Sequence, residues 1–231
     1  MSISERHRFG RFLALGVWSA VLCAVFAALW APSDTDPHLS ASSLTVSDFA
    51  ALDRGGPIET GMAVLGVASL VLLTAAGAIR PAAVRGVPSV LLAVWGLGLV
   101  VAAVVPTDPL TAQLGGPALV HRYASVAAFT ALPIAGLLLA RRIGGDPRAG
   151  GAARWLRLLS WAALGGAAVM AYSAGPGGRE LIGLVERVLL GCEVAVLGVV
   201  GQYVQRHVPQ LASRRRTEPR TRPRRAATGS P

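Results

Sequence analysis

The chain has 231 residues, 53% of them hydrophobic and only 15% charged, with 22 basic against 12 acidic side chains and a net charge of +10. So apolar a composition excludes an ordinary soluble domain and places the chain among polytopic membrane proteins. The positive excess does not point to nucleic acid, because the arginines are distributed by their position around the apolar segments and no zinc-finger, helix-turn-helix or RNA-binding pattern accompanies them.

The first element is a basic stretch, residues 1–8, followed by an apolar run over Phe9–Trp30. That run is too long for a signal peptide and no small-x-small cleavage site follows, so it reads as an uncleaved first span. Five more apolar runs follow over Thr60–Ile79, Val87–Val105, Ala118–Ala140, Ala152–Tyr172 and Leu181–Val204. Each holds about 19–24 residues, enough at about 1.5 Å per residue for a hydrocarbon layer of about 30 Å. The runs are continuous Ala, Leu, Val and Gly without the alternation of a membrane barrel strand. Helices satisfy their backbone polar groups within one segment. The predicted fold is therefore all-α, a polytopic six-transmembrane helix bundle with its membrane domain over residues 9–205.

Between the first two spans, Ala31–Glu59 forms the longest loop. Ser47 is a candidate cap for a short helix with Phe49 and Leu52 on one side. Such a helix is expected to rest on lipid headgroups, in preference to acting as a lid, since a lid needs something to close on.

Orientation follows from arginine, because the chain contains no lysine. Arg6, Arg8 and Arg11 precede span one; Arg80 and Arg85 separate spans two and three; Arg141, Arg142, Arg148, Arg154 and Arg157 flank the connection between spans four and five. The alternate loops carry Asp34, Asp36, Asp48, Asp53, Glu59, Asp108 and Glu180. By the positive-inside rule both termini are cytoplasmic, in a plasma-membrane, multi-pass arrangement. The all-Arg, Ala/Gly/Pro-rich composition suggests a bacterial source.

Beyond Arg206, residues 206–231 are rich in Arg and Pro and read as a disordered cytoplasmic tail. Arg214, Arg215, Arg216, Arg220, Arg222, Arg224 and Arg225 suit anionic lipid headgroups, each worth about 1 kcal/mol near such a surface. Cys23 and Cys192 lie inside spans and read as small packing residues. Small residues such as Ala162 with Gly166, and Gly191 with Gly198, suit close helix packing and leave a homo-oligomer open.

Charges inside the last span are the main functional signal, since intramembrane acids and bases are functional-site candidates by default. Glu186 lies about 7 Å and Glu193 about 18 Å below Leu181 at helical rise, on one face because seven residues are nearly two turns. Neighbours on a helix do not face each other, so Glu186 and Arg187 require partners on other helices. At the same outer level stand Asp108, in Pro106-Thr107-Asp108-Pro109, and His121, Arg122 and Tyr123 at the start of span four. Asp108, His121, Arg122, Glu186 and Arg187 form a candidate polar pocket or ion-pair network, with Glu186 facing Arg122 and Arg187 facing Asp108 as one pairing. Glu193 has no basic residue at its depth and is either a neutral acid hydrogen-bonded across the bundle or a candidate proton site. No metal site and no cofactor are expected: HExxH, GxSxG and Walker-type patterns are absent from the sequence.

The six-span plan, with Pro106-Thr107-Asp108 ending span three, His121-Arg122 opening span four and Glu186-Arg187 early in span six, resembles the bacterial membrane family called domain of unknown function 998. The resemblance covers about Phe9 to Val204 and implies a six-helix integral membrane protein without an established activity or catalytic residues. Three readings follow from the residues. The preferred one is non-enzymatic, an outer-facing polar pocket between spans four and six for a small ligand or lipid headgroup, with proton coupling through Glu193. The others are a membrane enzyme acting on lipid-linked substrates, with His121 and Glu186 as acid and base, and a structural or accessory subunit whose charges only hold helices together.

Overall fold

The computed structural model describes residues 44–52, 56–79, 81–107 and 115–217. These form seven helices: α1 Val46–Leu52, α2 Pro57–Ile79, α3 Pro81–Val84, α4 Val87–Val104, α5 Gly116–Ile143, α6 Gly150–Ala174 and α7 Ile182–Thr217. No strand occurs among the described residues. The predicted first span, residues 9–30, lies outside them, as do Asp108 and the arginines from Arg220 onward.

Helix starts follow local chemistry. Proline sits in the first turn of α4 and of α5, where its missing N–H would have no partner in any case. Asp146 folds the connection from α5 to α6 by accepting the Arg148 N–H at 3.0 Å. At the same end of the bundle Arg142 donates to the carbonyls of Ala83 at 3.2 Å and Arg85 at 2.5 Å, tying the α3 turn to the C-terminus of α5. The last helix runs to Thr217, so the first part of the segment expected to lack fixed structure is helical. Its Gln205, Gln210, Leu211, Ala212 and Arg214–Arg216 are good helix formers and carry the helix past Pro209.

The long helices pack in sequence, α2 on α4, α4 on α5, α5 on α6 and α6 on α7, and α7 closes back more narrowly on α2 and α5. Small residues make the close approaches: a Cβ on Gly66 of α2 would stand 2.7 Å from the Gly96 carbonyl of α4, and one on Gly98 would stand 2.9 Å from the Ala124 carbonyl of α5. Trp95 is fully buried between α4 and α2, and its indole N–H donates to Ser69 Oγ at 3.1 Å, which itself donates to the Leu65 carbonyl at 2.7 Å. A buried tryptophan thus leaves no polar atom unmet.

The outside of the bundle is as apolar as its inside. Val64, Val67, Val90, Leu97, Val126, Leu158, Trp161 and Val169 are all exposed, a surface that suits lipid and not water. Three helices, over Pro57–Gly77, Val87–Val104 and Gly116–Ile143, are long and apolar enough to cross a membrane. The architecture is that of a helical membrane protein.

Candidate functional site

Glu186 and Arg187 of α7 are met by α1, the short helix of the long loop. Its N-terminus is set by a reciprocal cap in which Asp48 N donates to Thr45 Oγ1 at 3.0 Å and Thr45 N donates to Asp48 Oδ2 at 2.9 Å. This is a capping box with aspartate in the return position. The cap is Thr45, not Ser47 as expected, because a residue capping from the N-cap must precede the first helical residue, Val46. Ser47 is thereby freed for a different contact.

Leu44, Val46, Phe49 and Ala50 of this segment are buried in one cluster with Ile58, against Met62 of α2 and Leu190 of α7. Residues 44–52 therefore do not rest on headgroups as expected. They dock on the bundle, since α1 has on α7 the polar partners that make docking favourable.

Those partners are specific. The Val46 N–H donates to Glu186 Oε2, and Ser47 adjoins the same carboxylate. Glu186 is 2% exposed, so its charge is met almost entirely by protein groups. Arg187 Nη1 donates to the Leu44 carbonyl and to the Gly183 carbonyl, both at 3.0 Å, and its guanidinium lies 5.5 Å from the centre of the Phe49 ring. His121 of α5 is buried, with Nδ1 3.1 Å from the Val105 carbonyl and Nε2 3.4 Å from Ser47 Oγ. A carbonyl only accepts, so Nδ1 is a donor and carries a proton.

A latch closes the far side of α1. Arg179 Nη2 donates to Asp48 Oδ2 at 2.7 Å from the turn that joins α6 to α7. That turn is strained: Arg179 has φ 66° and Leu181 φ 53°, both in the left-handed region that non-glycine residues rarely enter. Backbone bonds from Arg179 N to the Ser173 carbonyl at 2.8 Å and from Gly177 N to the Tyr172 carbonyl at 2.9 Å hold it.

Of the predicted network, His121, Glu186 and Arg187 are brought to one place. Arg122 is not: it turns to the exposed face of α5, and among the described residues it has neither ion pair nor hydrogen bond to Glu186. One residue along a helix is about 100° of rotation, so His121 and Arg122 cannot both face the bundle. Asp108 lies outside the described residues; among these, Arg187 donates to main-chain carbonyls of Leu44 and Gly183. Thr45, Ser47, Asp48 and Arg179 were not predicted; the Thr-x-x-Asp spacing at 45–48 is the sequence signal that marks the docked helix start.

Glu193 stands two turns further in and is fully buried, with neither carboxylate oxygen hydrogen-bonded to the protein. Register places its surroundings. A Cβ on Gly136 of α5 would meet Ser160 of α6 and Val196 of α7, and one on Gly166 of α6 would meet Leu189 of α7 at 3.4 Å. By that register Glu193 is level with Pro133 and Ala163. Pro133, inside α5, gives the Phe129 carbonyl no helical donor. The Ser160 hydroxyl, about one turn below, is also sealed and has no protein partner. Two buried side chains, Glu193 and Ser160, thus lie about a turn apart in the α5–α6–α7 core with no protein hydrogen-bond partner for their oxygens. Among the described residues no group of His, Cys, Asp and Glu is arranged to hold a metal ion.

The chain matches the family described as protein of unknown function (DUF998) over residues 5–203, and it belongs to that family. Neither the curated proteins nor the solved structures contain a match to it.

Proposed function

We propose that this DUF998 member is a six-span, multi-pass protein of a bacterial plasma membrane, with both termini cytoplasmic, whose outer polar site between α5 and α7 binds a small polar ligand or lipid headgroup beneath α1 acting as a lid. One observation carries the reading: the buried carboxylate of Glu186 takes its hydrogen bond from the main chain of a seven-residue helix. A structural ion pair would join two spans permanently. Here the charge is met by a short loop element, and such elements open locally at far lower free energy than a bundle core.

The strained turn supports the same reading. Left-handed conformations at Arg179 and Leu181 cluster where the latch to Asp48 is made, as strain does at clamps and switches. Proton coupling enters through Glu193, whose unmet carboxyl oxygens and sealed position suit a group that exchanges a proton with a partner not held by the protein.

The test uses a chain with Cys23 and Cys192 replaced by Ala. Ala50→Cys, at a position 3% exposed, is treated in intact cells with a membrane-impermeant maleimide, and Asp146→Cys serves as the opposite-face control. The expected result is slow labelling at 50, fast labelling when Glu186→Leu is added, and none at 146 until the cells are permeabilised. Labelling at 146 in intact cells would overturn the orientation. Labelling at 50 as fast as at a fully exposed outer position would overturn the lid. For Glu193, the variant Glu193→Gln is expected to express normally and to lose any pH-dependence of lid opening; an unchanged pH profile counts against coupling.

A further inference from the structure

The seam between α5 and α6 carries a cation that no protein group answers. Arg122 is exposed, and among the described residues it makes no ion pair and no hydrogen bond, not even with Glu180 in the turn that follows α6. Its place follows from the register of two antiparallel helices. A Cβ on Gly136 would meet the Ser160 hydroxyl, and one on Gly144 would stand 3.9 Å from the Ala153 Cβ. Carried along both helices, that register sets Arg122 level with the end of α6 at Ala174, about 3 Å beyond the level of Tyr172. The interval from Arg122 to Gly136 is about 40° short of four turns, so Arg122 leaves α5 on the α6 side.

Tyr123 and Tyr172, 69% and 64% exposed, flank the seam at this level on its bilayer side. Exposed tyrosines collect where hydrocarbon meets headgroups. Toward the middle of the bundle the same side of the seam is bordered by short side chains, Val126 of α5 with Ala168 and Ala171 of α6, all exposed. Trp161, also exposed, lies about 16 Å along α6 from Tyr172, close to half of a hydrocarbon layer of about 30 Å. The surface thus offers a guanidinium at headgroup level, a shallow apolar track as long as one leaflet is deep, and an indole at its foot.

We infer that this seam seats one anionic phospholipid, its phosphate on Arg122 and one acyl chain along the track to Trp161. A guanidinium meets a phosphate through two parallel hydrogen bonds, a fit that an ammonium lacks. With no acid paired to it, Arg122 favours a headgroup of net negative charge over one that brings its own ammonium. The seat is in the outer leaflet in the orientation proposed above, and there Arg122 stands on the side where arginine is not retained by topology. Neither α1 nor Glu186 takes part.

The full-length chain is reconstituted into phosphatidylcholine vesicles that contain a small share of a phospholipid with a photoreactive diazirine in its acyl chain, either phosphatidylglycerol or phosphatidylcholine. After irradiation the label is mapped by peptide mass spectrometry. The phosphatidylglycerol probe is expected to mark residues 161–172 about fivefold more than the phosphatidylcholine probe. Arg122→Gln should bring the two within twofold, and Arg122→Lys, which keeps the charge without the planar fork, should fall between. Arg122 is exposed, so neither substitution takes a buried contact from the fold. Arg154→Gln, at the opposite end of α6, should leave the excess intact. Equal marking by the two probes overturns the inference, as does an excess that survives Arg122→Gln. An excess lost in Arg154→Gln overturns it too, by assigning the lipid to the arginines of the other end. Loss of the excess in millimolar inorganic phosphate would show that Arg122 takes free phosphate and would overturn the lipid assignment.

Discussion

Removing the Phe49 ring should open α1 without melting the bundle. Phe49 is 3% exposed and belongs to a cluster with Leu44, Val46, Ala50 and Ile58 that is separate from the main core around Trp95, Leu132 and Leu197. Truncating a buried phenylalanine to alanine removes about 3–5 kcal/mol. The lower end applies here, because a short edge helix can settle into the space left. Loss of the guanidinium contact with Arg187 removes about 0.5–1 kcal/mol more. Because α1 is a local unit, that energy is withdrawn from lid closure and not from global stability. At about 1.4 kcal/mol per decade the open population rises roughly a hundredfold or more, and labelling of Ala50→Cys follows it when reclosing outpaces the reagent. The assay is the second-order labelling rate in detergent, read beside the thermal midpoint of the same sample. Phe49→Leu, which keeps most of the apolar volume, should raise the rate far less. A Phe49→Ala rate within threefold of the parent would refute the reasoning, since burial would then not be what holds α1. A collapse of the thermal midpoint would refute it differently, by showing that α1 and the bundle fold as one unit.

Three further predictions follow from the same contacts. Thr45→Ala removes the side-chain half of the cap, worth about 1 kcal/mol, and should raise labelling about fivefold, whereas Asp48→Asn keeps an acceptor for the Thr45 N–H and weakens only the latch, whose arginine is 40% exposed, so it should do less. Glu186→Gln keeps an acceptor for the Val46 N–H and should leave the lid mostly closed, while Glu186→Leu strands that N–H at a cost of about 1–3 kcal/mol and should open it; equal effects of the two would remove Glu186 from the account. Gly136→Ala should lower the thermal midpoint, by overpacking worth about 1–3 kcal/mol, because its Cβ would meet the Ser160 hydroxyl and stand 3.3 Å from Val196 Cγ1; Ser160→Ala added to it should recover part of the loss, and simple additivity of the two would show that the residues are not in contact.

The spans were legible because length and hydropathy are enough for them. The runs read over Thr60–Ile79, Val87–Val105 and Ala118–Ala140 correspond to helices over Pro57–Ile79, Val87–Val104 and Gly116–Ile143, and the differences lie at ends where proline and glycine permit another turn. The spacing of Glu186 and Glu193 along one helix face was legible too, since it follows from helical rise. What escaped was everything that depends on where a loop returns. Arg122 and His121 are equal candidates in sequence, and only the rotation of α5 decides that His121 faces inward and Arg122 outward. The partner of Glu186 was sought among cationic side chains, but the structure supplies a main-chain N–H, which any residue except proline can give and which therefore leaves no compositional trace. Ser160 escaped for a similar reason: a serine in an apolar run reads as tolerated filler until packing seals its hydroxyl.

The two carboxylates of α7 share a face and differ in what answers them, and that difference locates the functional candidates. Glu186 is satisfied by the main chain of a seven-residue helix, so its satisfaction is conditional on α1 staying down. Glu193 lies between Leu189 and Val196, both fully buried, yet both its oxygens lack a protein hydrogen-bond partner. A buried polar group without a partner costs about 1–3 kcal/mol, which a bundle this well packed would shed by substitution if nothing ever met the group. The outer carboxylate is thus tied to the position of α1 and the inner one is not, which is the contrast the proposed lid and proton site build on. On the proposed lid reading, opening would expose Glu186, about 10 Å along the helix from Glu193. Coupling between the two would be reciprocal: if lid opening depends on the protonation of Glu193, the labelling rate at Ala50→Cys must change with pH in the parent chain and lose that change in Glu193→Gln. The same pH profile in both chains would separate the two sites and leave Glu193 outside the mechanism.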